Sequence, residues 1–186
     1  MKKEYFNIPN LMGYFRILML PVFLILYGRA DSREDYIAAF SVLVISLLTD
    51  FFDGKIARKF NMVTDFGKAL DPIADKLTQG TLALAVSFRY TAMVWVLILF
   101  FLKEAYMGLM GLYLIRKKHI WSSAKWHGKV CTFILDVGIV ILLMFPEIPA
   151  KASHAVIGVM AAWMVFSLFS YVMYHAKLLK KAETFS

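Results

Sequence analysis

Six long apolar stretches divide the chain, and only short polar connections separate them. The stretches cover residues 11–28, 37–57, 70–88, 93–115, 130–145 and 152–175. A helix needs about 20 mostly apolar residues to cross a bilayer, and these stretches are near that length. The pattern therefore predicts an all-α, polytopic integral membrane bundle of six transmembrane helices.

No repeat, low-complexity tract or long linker interrupts the pattern. We expect a single membrane domain over residues 1–186, with a short cytoplasmic N-terminal segment at 1–10 and a basic C-terminal tail at 176–186. The first stretch is similar to a signal peptide, but five more follow it and Gly28-Arg29-Ala30 is a poor cleavage site. We predict a retained helix, in which neighbouring helices compensate for Pro21.

Basic residues concentrate on alternate connections, which predicts the orientation. One side holds Lys2, Lys3, Lys55, Arg58, Lys59, Lys68, Arg116, Lys117, Lys118, Lys125, Lys177, Lys180 and Lys181. The other side holds only Arg29, Arg33, Arg89 and Lys151. By the positive-inside rule, both termini are cytoplasmic. The net charge of +8 then faces anionic membrane lipids and indicates no nucleic acid partner.

Composition excludes an ordinary water-soluble domain. Hydrophobic residues make up 60% of the chain and charged residues only 18%, whereas soluble domains carry about 25% charged residues. The single cysteine, Cys131, excludes a disulfide framework, and we expect it to be a small core residue.

Four aspartates interrupt this apolar pattern over a short part of the chain. The second stretch carries an i, i+3, i+4, i+7 set on one helix face. Its members are Asp50, Asp53, Gly54 and Ala57. Asp71 and Asp75 share a face at the start of the third stretch. The connection at 59–68 is short enough for an antiparallel arrangement, so we expect all four carboxylates to converge.

Convergence of four acids requires compensating positive charge. An aspartate at the centre of a membrane helix costs about 2.5–3.5 kcal/mol, and like charges about 4 Å apart repel by about 4 kcal/mol at moderate dielectric. The available basic side chains, Arg58 and Lys76, are too few. Oxygen-only ligands suit Mg²⁺, and the acids suffice for two ions. The alternative is a set of solvated charges and helix caps, which would explain Asp65 and Asp71.

These residues resemble a known family signature. The pattern Asp50-x₂-Asp53-Gly54-x₂-Ala57-Arg58-x₈-Gly67-x₃-Asp71-x₃-Asp75 is similar to that of the CDP-alcohol phosphotransferases, membrane enzymes of phospholipid biosynthesis that join a lipid phosphate to an alcohol and release CMP. "NIPNLMGYFRI" at residues 7–17 resembles the opening of bacterial phosphatidylglycerophosphate synthases and of the related cardiolipin synthases.

The resemblance implies roles for individual residues. The implied ligands of two divalent cations, Mg²⁺ or Mn²⁺, are Asp50, Asp53, Asp71 and Asp75. Asp75 is also the implied general base. The implied contacts to the CDP diphosphate are Asn10, Gly54, Ala57, Arg58 and Gly67. Small residues let the nucleotide approach the backbone, the Arg58 fork clamps phosphate, and Gly67 frees the connection to turn. The implied donor is CDP-diacylglycerol.

The acceptor is the open point. Phosphatidylglycerophosphate synthases usually carry further cations, but Gly111 and Cys131 stand at two of those positions, and Lys103-Glu104 replaces an Arg-Glu pair. The cardiolipin synthases lack them too, so we slightly favour phosphatidylglycerol over glycerol 3-phosphate. A phosphate-free polyol ranks third. The acceptor-binding candidates are Lys103, Arg116, Lys125 and Lys129. Gly13 stands where a threonine is common in the opening motif of the family.

Two other classes would also place acids in a helical bundle. An ion-coupled transporter would not need a basic, glycine-containing connection between its acids, and an intramembrane prenyltransferase spaces its acids differently. The resemblance implies a multi-pass protein of the bacterial cytoplasmic membrane with a cytoplasmic active site. A homodimer is compatible with the sequence.

Overall fold

The computed structural model of the protein describes residues 6–118, 125–145 and 148–184. Six helices occupy these ranges. They are α1 (Ile8–Gly28), α2 (Arg33–Lys59), α3 (Asp65–Arg89), α4 (Met93–Lys118), α5 (Trp126–Met144) and α6 (Ala150–Thr184). No strand occurs in the described ranges, so the all-α prediction is confirmed.

Five of the six helices are long and apolar enough to cross a membrane. The five candidate spans are Ile8–Gly28, Arg33–Lys59, Met93–Arg116, Trp126–Met144 and Ala150–Lys180. The exception is α3, because its first three turns contain five charged residues, at positions 65, 68, 71, 75 and 76. The chain is a membrane protein, and the sixth span at 70–88 stays a prediction.

The helices extend beyond the apolar stretches because polar residues cap them. The side chain of Asn7 accepts a hydrogen bond of 2.9 Å from the Asn10 N–H, which starts α1 before the apolar run. Ser32 and Asp35 form a reciprocal capping box at the start of α2. Such caps satisfy backbone N–H groups that have no partner inside the helix.

The chain divides into two compact units, residues 1–85 and 86–186. In the first unit α1 packs antiparallel against α2. At one end the Tyr27 ring meets the rings of Tyr36 and Phe40 edge-on, with centroids 5.5 and 6.4 Å apart. Near the middle of α1, Arg16 reaches Asp50. The prediction of one domain over 1–186 stays a prediction.

Helix α1 also runs parallel to the start of α3. Asn10 donates to Thr64 just before α3, and Arg16 contacts Asp75 three turns further along. Between them, a Cβ atom at Gly13 would lie 2.9 Å from Leu70 Cδ2, so the glycine lets the buried Leu70 side chain rest on α1. Helices α2 and α3 are thus antiparallel, as predicted, and α1 joins them.

In the second unit, α6 packs against both α4 and α5. Gly128 makes room on α5 for Tyr171 of α6, whose hydroxyl accepts a 3.1 Å hydrogen bond from the Lys125 N–H. His175 of α6 lies 3.3 Å from the hydroxyl of Tyr106 on α4. Cys131 is 2% exposed, which confirms it as a core residue.

Candidate active site

A cavity of about 260 Å³ opens in the first unit, among the N-terminal end of α1, the C-terminal end of α2 and the start of α3. Seven predicted site residues line it. They are Asn10, Asp53, Gly54, Ala57, Arg58, Gly67 and Asp71. All five residues predicted to bind the diphosphate are in this group, together with two of the four aspartates. Residues distant in the sequence therefore meet at one cavity.

Asp53 and Asp71 provide the acidic wall of this cavity. Asp53 is only 5% exposed, and its Oδ2 atom has no hydrogen-bond partner among the described residues. Its carboxylate interacts electrostatically with Asp71 and Asp75 as well as with Arg16. A buried carboxylate oxygen without a partner is costly, and a hard divalent cation would satisfy it. The donor set at the cavity fits a divalent metal ion.

Asp50 and Asp75 instead lie at Arg16. The Nη1 atom of this arginine donates to Oδ1 of Asp50 and, over 3.0 Å, to Oδ1 of Asp75. We named only Arg58 and Lys76 as basic side chains available to the acids, and this expectation was wrong because Arg16 of α1 reaches two of them. The signal for Arg16 was its charge inside an apolar helix, where ionisable residues are usually functional.

The four aspartates consequently form two pairs. Asp53 and Asp71 line the cavity, whereas the Arg16 guanidinium lies between Asp50 and Asp75. Within the ranges that the structure describes, no three acidic, histidine or cysteine side chains come close enough together to hold a metal ion. The role of all four aspartates as metal ligands stays a prediction.

Gly67 has a different structural role from the one expected. It lies inside α3 and no described glycine has a positive φ; Asn61, with a φ of 51°, makes the turn after α2. A Cβ atom at Gly67 would lie 2.7 Å from Oδ1 of Asn10. The absence of a side chain at Gly67 therefore leaves space for Asn10, whose amide donates to Thr64 Oγ1 over 3.2 Å.

Replacing Gly67 by alanine should therefore displace Asn10 from the wall of the cavity. Asn10 is 3% exposed and has little room to move, so we expect a loss of about 1–3 kcal/mol in stability, typical of overpacking. Thermal unfolding in detergent measures it. Gly108→Ala is the matched control, because a Cβ atom there meets nothing within 4 Å; an equal loss in both variants would contradict the packing role.

The acceptor candidates all belong to the second unit. Lys103 is 6% exposed, with Nζ 2.6 Å from Oε1 of Glu104. Lys125 Nζ lies 4.3 Å from the ring centroid of Tyr174. Both lysines interact electrostatically with the buried His127. Arg116 and Lys129 are exposed. Lys103 and Lys125 therefore share an electrostatic partner in His127.

Comparison with known proteins identifies a family for this chain. The sequence model of a family described as CDP-alcohol phosphatidyltransferase matches residues 6–176. A Mycobacterium tuberculosis protein (strain CDC 1551 / Oshkosh) named probable phosphatidylglycerophosphate synthase is 32% identical over 176 residues, 94% of this chain and 82% of that protein.

Two further relatives carry a longer name, CDP-diacylglycerol–glycerol-3-phosphate 3-phosphatidyltransferase. The protein from Escherichia coli K12 is 30% identical over 179 residues, 90% of this chain and 93% of the relative. The protein from Rickettsia typhi is 47% identical over 74 residues, 40% of this chain and 41% of the relative. The similarity to the first two proteins spans both structural units.

Proposed function

Because the chain belongs to the CDP-alcohol phosphatidyltransferase family, we propose that it transfers the phosphatidyl group of CDP-diacylglycerol to a hydroxyl of glycerol 3-phosphate. The products are phosphatidylglycerophosphate and CMP. The observation that carries this choice is that relatives similar over nearly the whole chain are named for glycerol 3-phosphate or for this product. These names favour the alternative acceptor over phosphatidylglycerol, which the sequence had slightly favoured.

Two lysines of the second unit supply positive charge for this acceptor. A phosphate monoester carries nearly two negative charges and is bound best by several charge-assisted hydrogen bonds. Gly111 and Cys131 offer none, but the buried Lys103 and the half-buried Lys125 both interact electrostatically with His127. We assign the acceptor phosphate to these two lysines, with Arg116 and Lys129 as more exposed cations at the same unit.

The cavity of the first unit suits the nucleotide end of the donor. Gly54 and Ala57 leave the backbone of α2 accessible, and the exposed Arg58 can contact the diphosphate with its planar fork. The acyl chains would remain in the bilayer beside the apolar helix faces. Lys68 adds a further cation at the rim of the cavity.

Members of this family use divalent metal ions, and we propose that Mg²⁺ or Mn²⁺ binds to Asp50, Asp53, Asp71 and Asp75. When bound, the ions stabilise negative charge on the phosphoryl group during transfer. The Asp75 side chain is 60% exposed, so it is accessible to an acceptor. We propose that the Asp75 carboxylate accepts the proton of the acceptor hydroxyl. The hydroxyl oxygen then forms a new bond to the phosphorus of the phosphatidyl group, and the bond from that phosphorus to the CMP oxygen breaks.

The proposed placement in the membrane follows from charge. The basic connections would face the cytoplasm together with both termini and the cavity, in a bacterial cytoplasmic membrane. Helix α3 would form the sixth span, with its charged first turns at the membrane surface and its apolar second half inside. A homodimer is compatible with this arrangement.

Direct competition between acceptors tests the proposal. Purified protein receives one labelled CDP-diacylglycerol pool together with glycerol 3-phosphate and phosphatidylglycerol, and the lipid products are separated. We expect phosphatidylglycerophosphate to dominate. Cardiolipin as the dominant product would overturn the acceptor but keep the enzyme class. Absence of CMP release with either acceptor would contradict the transfer reaction itself.

Gly54→Ala tests the donor site independently of folding. A Cβ atom there would meet only Arg58 Nη2, at an ordinary contact distance of 3.8 Å, so we expect unchanged thermal stability. The added methyl group projects at the cavity wall, and we expect the KM for CDP-diacylglycerol to rise about tenfold because a small misplacement costs much binding energy. An unchanged KM would place the nucleotide elsewhere.

A further inference from the structure

Arg16 is almost completely buried, yet none of the roles described above uses it. Its side chain is 2% exposed. Its Nη1 atom donates to one oxygen of Asp50 on α2 and one oxygen of Asp75 on α3. One guanidinium therefore connects the two helices that carry the predicted metal ligands. A buried charge persists only where opposite charges compensate it, and here two carboxylates do so.

Arg16 and a divalent cation would compete for the same oxygen atoms. Oδ1 of Asp50 and Oδ1 of Asp75 each accept a hydrogen bond from Arg16, and an oxygen that accepts an N–H has fewer lone pairs left for a metal. Two positive charges a few ångströms apart also repel strongly where water is scarce. The contact of Arg16 with the two carboxylates therefore weakens the binding of a metal ion, and a bound metal ion weakens that contact.

The Arg16 guanidinium is held at the two carboxylates by few hydrogen bonds, so a metal ion could displace it. Its contacts to the acids run through Nη1 alone, while Nε and Nη2 have no hydrogen-bond partner among the described residues. A structural arginine clamp normally uses the planar fork in a bidentate way. Here a rotation of the side chain would release both carboxylates without breaking any other hydrogen bond of the group that the structure describes.

We propose that Arg16 is an internal counter-cation, which holds Asp50 and Asp75 together in the metal-free enzyme and lowers the affinity of the site for divalent cations. The inference rests on the proposed function in taking Asp50 and Asp75 as metal ligands. Arg16 acts through these carboxylates and is therefore a positioning residue. Its presence explains how Asp50 and Asp75 remain near one another without a metal ion between them.

Binding of Mn²⁺ to the full chain in detergent micelles, without substrate, tests this role. Electron paramagnetic resonance measures free Mn²⁺ in wild type, Arg16→Gln and Arg16→Lys. Arg16→Gln removes the competing charge and leaves the acids in place, so its apparent Kd should fall on the order of tenfold. Arg16→Lys keeps the charge and should stay within about threefold of wild type.

Thermal unfolding provides a second measurement on the same proteins. In chelator, Arg16→Gln should unfold at a lower temperature than wild type, because the acids lose their counter-ion. Saturating Mn²⁺ should remove most of that difference. A folded Arg16→Gln protein with unchanged or weaker Mn²⁺ binding would overturn the proposal and reduce Arg16 to a structural contact.

If Arg16→Gln does not fold, a titration of the wild-type protein tests the proposal instead. Arginine side chains labelled with ¹⁵N are followed by magnetic resonance during a Mg²⁺ titration, and the Arg16 signal is the one missing from Arg16→Lys. We expect it to shift as the site fills; a signal unchanged at saturation would overturn the proposal. Absent CMP release would contradict the proposed function alone, whereas wild type that binds no Mn²⁺ would also overturn the role of Arg16.

Discussion

Asp53→Asn is expected to reduce CMP release by at least about 100-fold, because removing one group that acts only on developing charge costs about that much. Asparagine keeps the size of the side chain but removes its negative charge. Asp53 is 5% exposed at the cavity wall, and its Oδ2 atom has no partner among the described residues. The carboxylate is thus available to a bound cation rather than committed to the fold.

The measurement is CMP release during a titration with Mg²⁺ or Mn²⁺ after chelator treatment. Asp65→Asn is the matched control, since that side chain is 90% exposed and pairs with Lys68 over 2.9 Å at the surface, where ion pairs contribute little. We expect its activity to remain near that of wild type. Near-normal turnover of Asp53→Asn in chelator-treated buffer would contradict the proposal of a metal site at the cavity.

Asp75→Asn is expected to lower kcat by about 10²–10⁴-fold, the usual contribution of a general base, while CDP-diacylglycerol still binds. Asparagine retains an oxygen that can accept the 3.0 Å hydrogen bond from Arg16, so the connection between α1 and α3 should persist. What the variant loses is the ability to take the proton from the acceptor hydroxyl.

Donor binding and transfer must be measured separately for this prediction. Equilibrium binding of CDP-diacylglycerol to Asp75→Asn should stay within a few-fold of wild type, whereas single-turnover transfer should show the whole defect. Asp71→Asn is the comparison. Because Asp71 lines the cavity, its substitution should weaken both donor binding and transfer. Parallel losses of binding and transfer in Asp75→Asn would make Asp75 a metal ligand without a role as base.

Local sequence information was sufficient for the helices and for most of the cavity. A helix is specified by residues within a few turns, so the apolar stretches predicted six helices, and the caps at Asn7 and Ser32 only moved their ends. The i, i+3, i+4, i+7 spacing likewise placed Asp53, Gly54 and Ala57 on one face. All three line the same cavity.

Only the tertiary structure decided which residues meet across helices. The rotation and shift of α1 against α2 and α3 depend on packing at Leu70 and Tyr27, and no spacing within one helix contains that information. Arg16 was therefore missed as the partner of Asp50 and Asp75, and Gly67 was assigned a turn instead of contact with Asn10. The sequence by itself predicted most of the side chains that line the cavity, because their types and helix faces are local properties. The pairing of side chains across helices is a long-range property that only the packed helices determine.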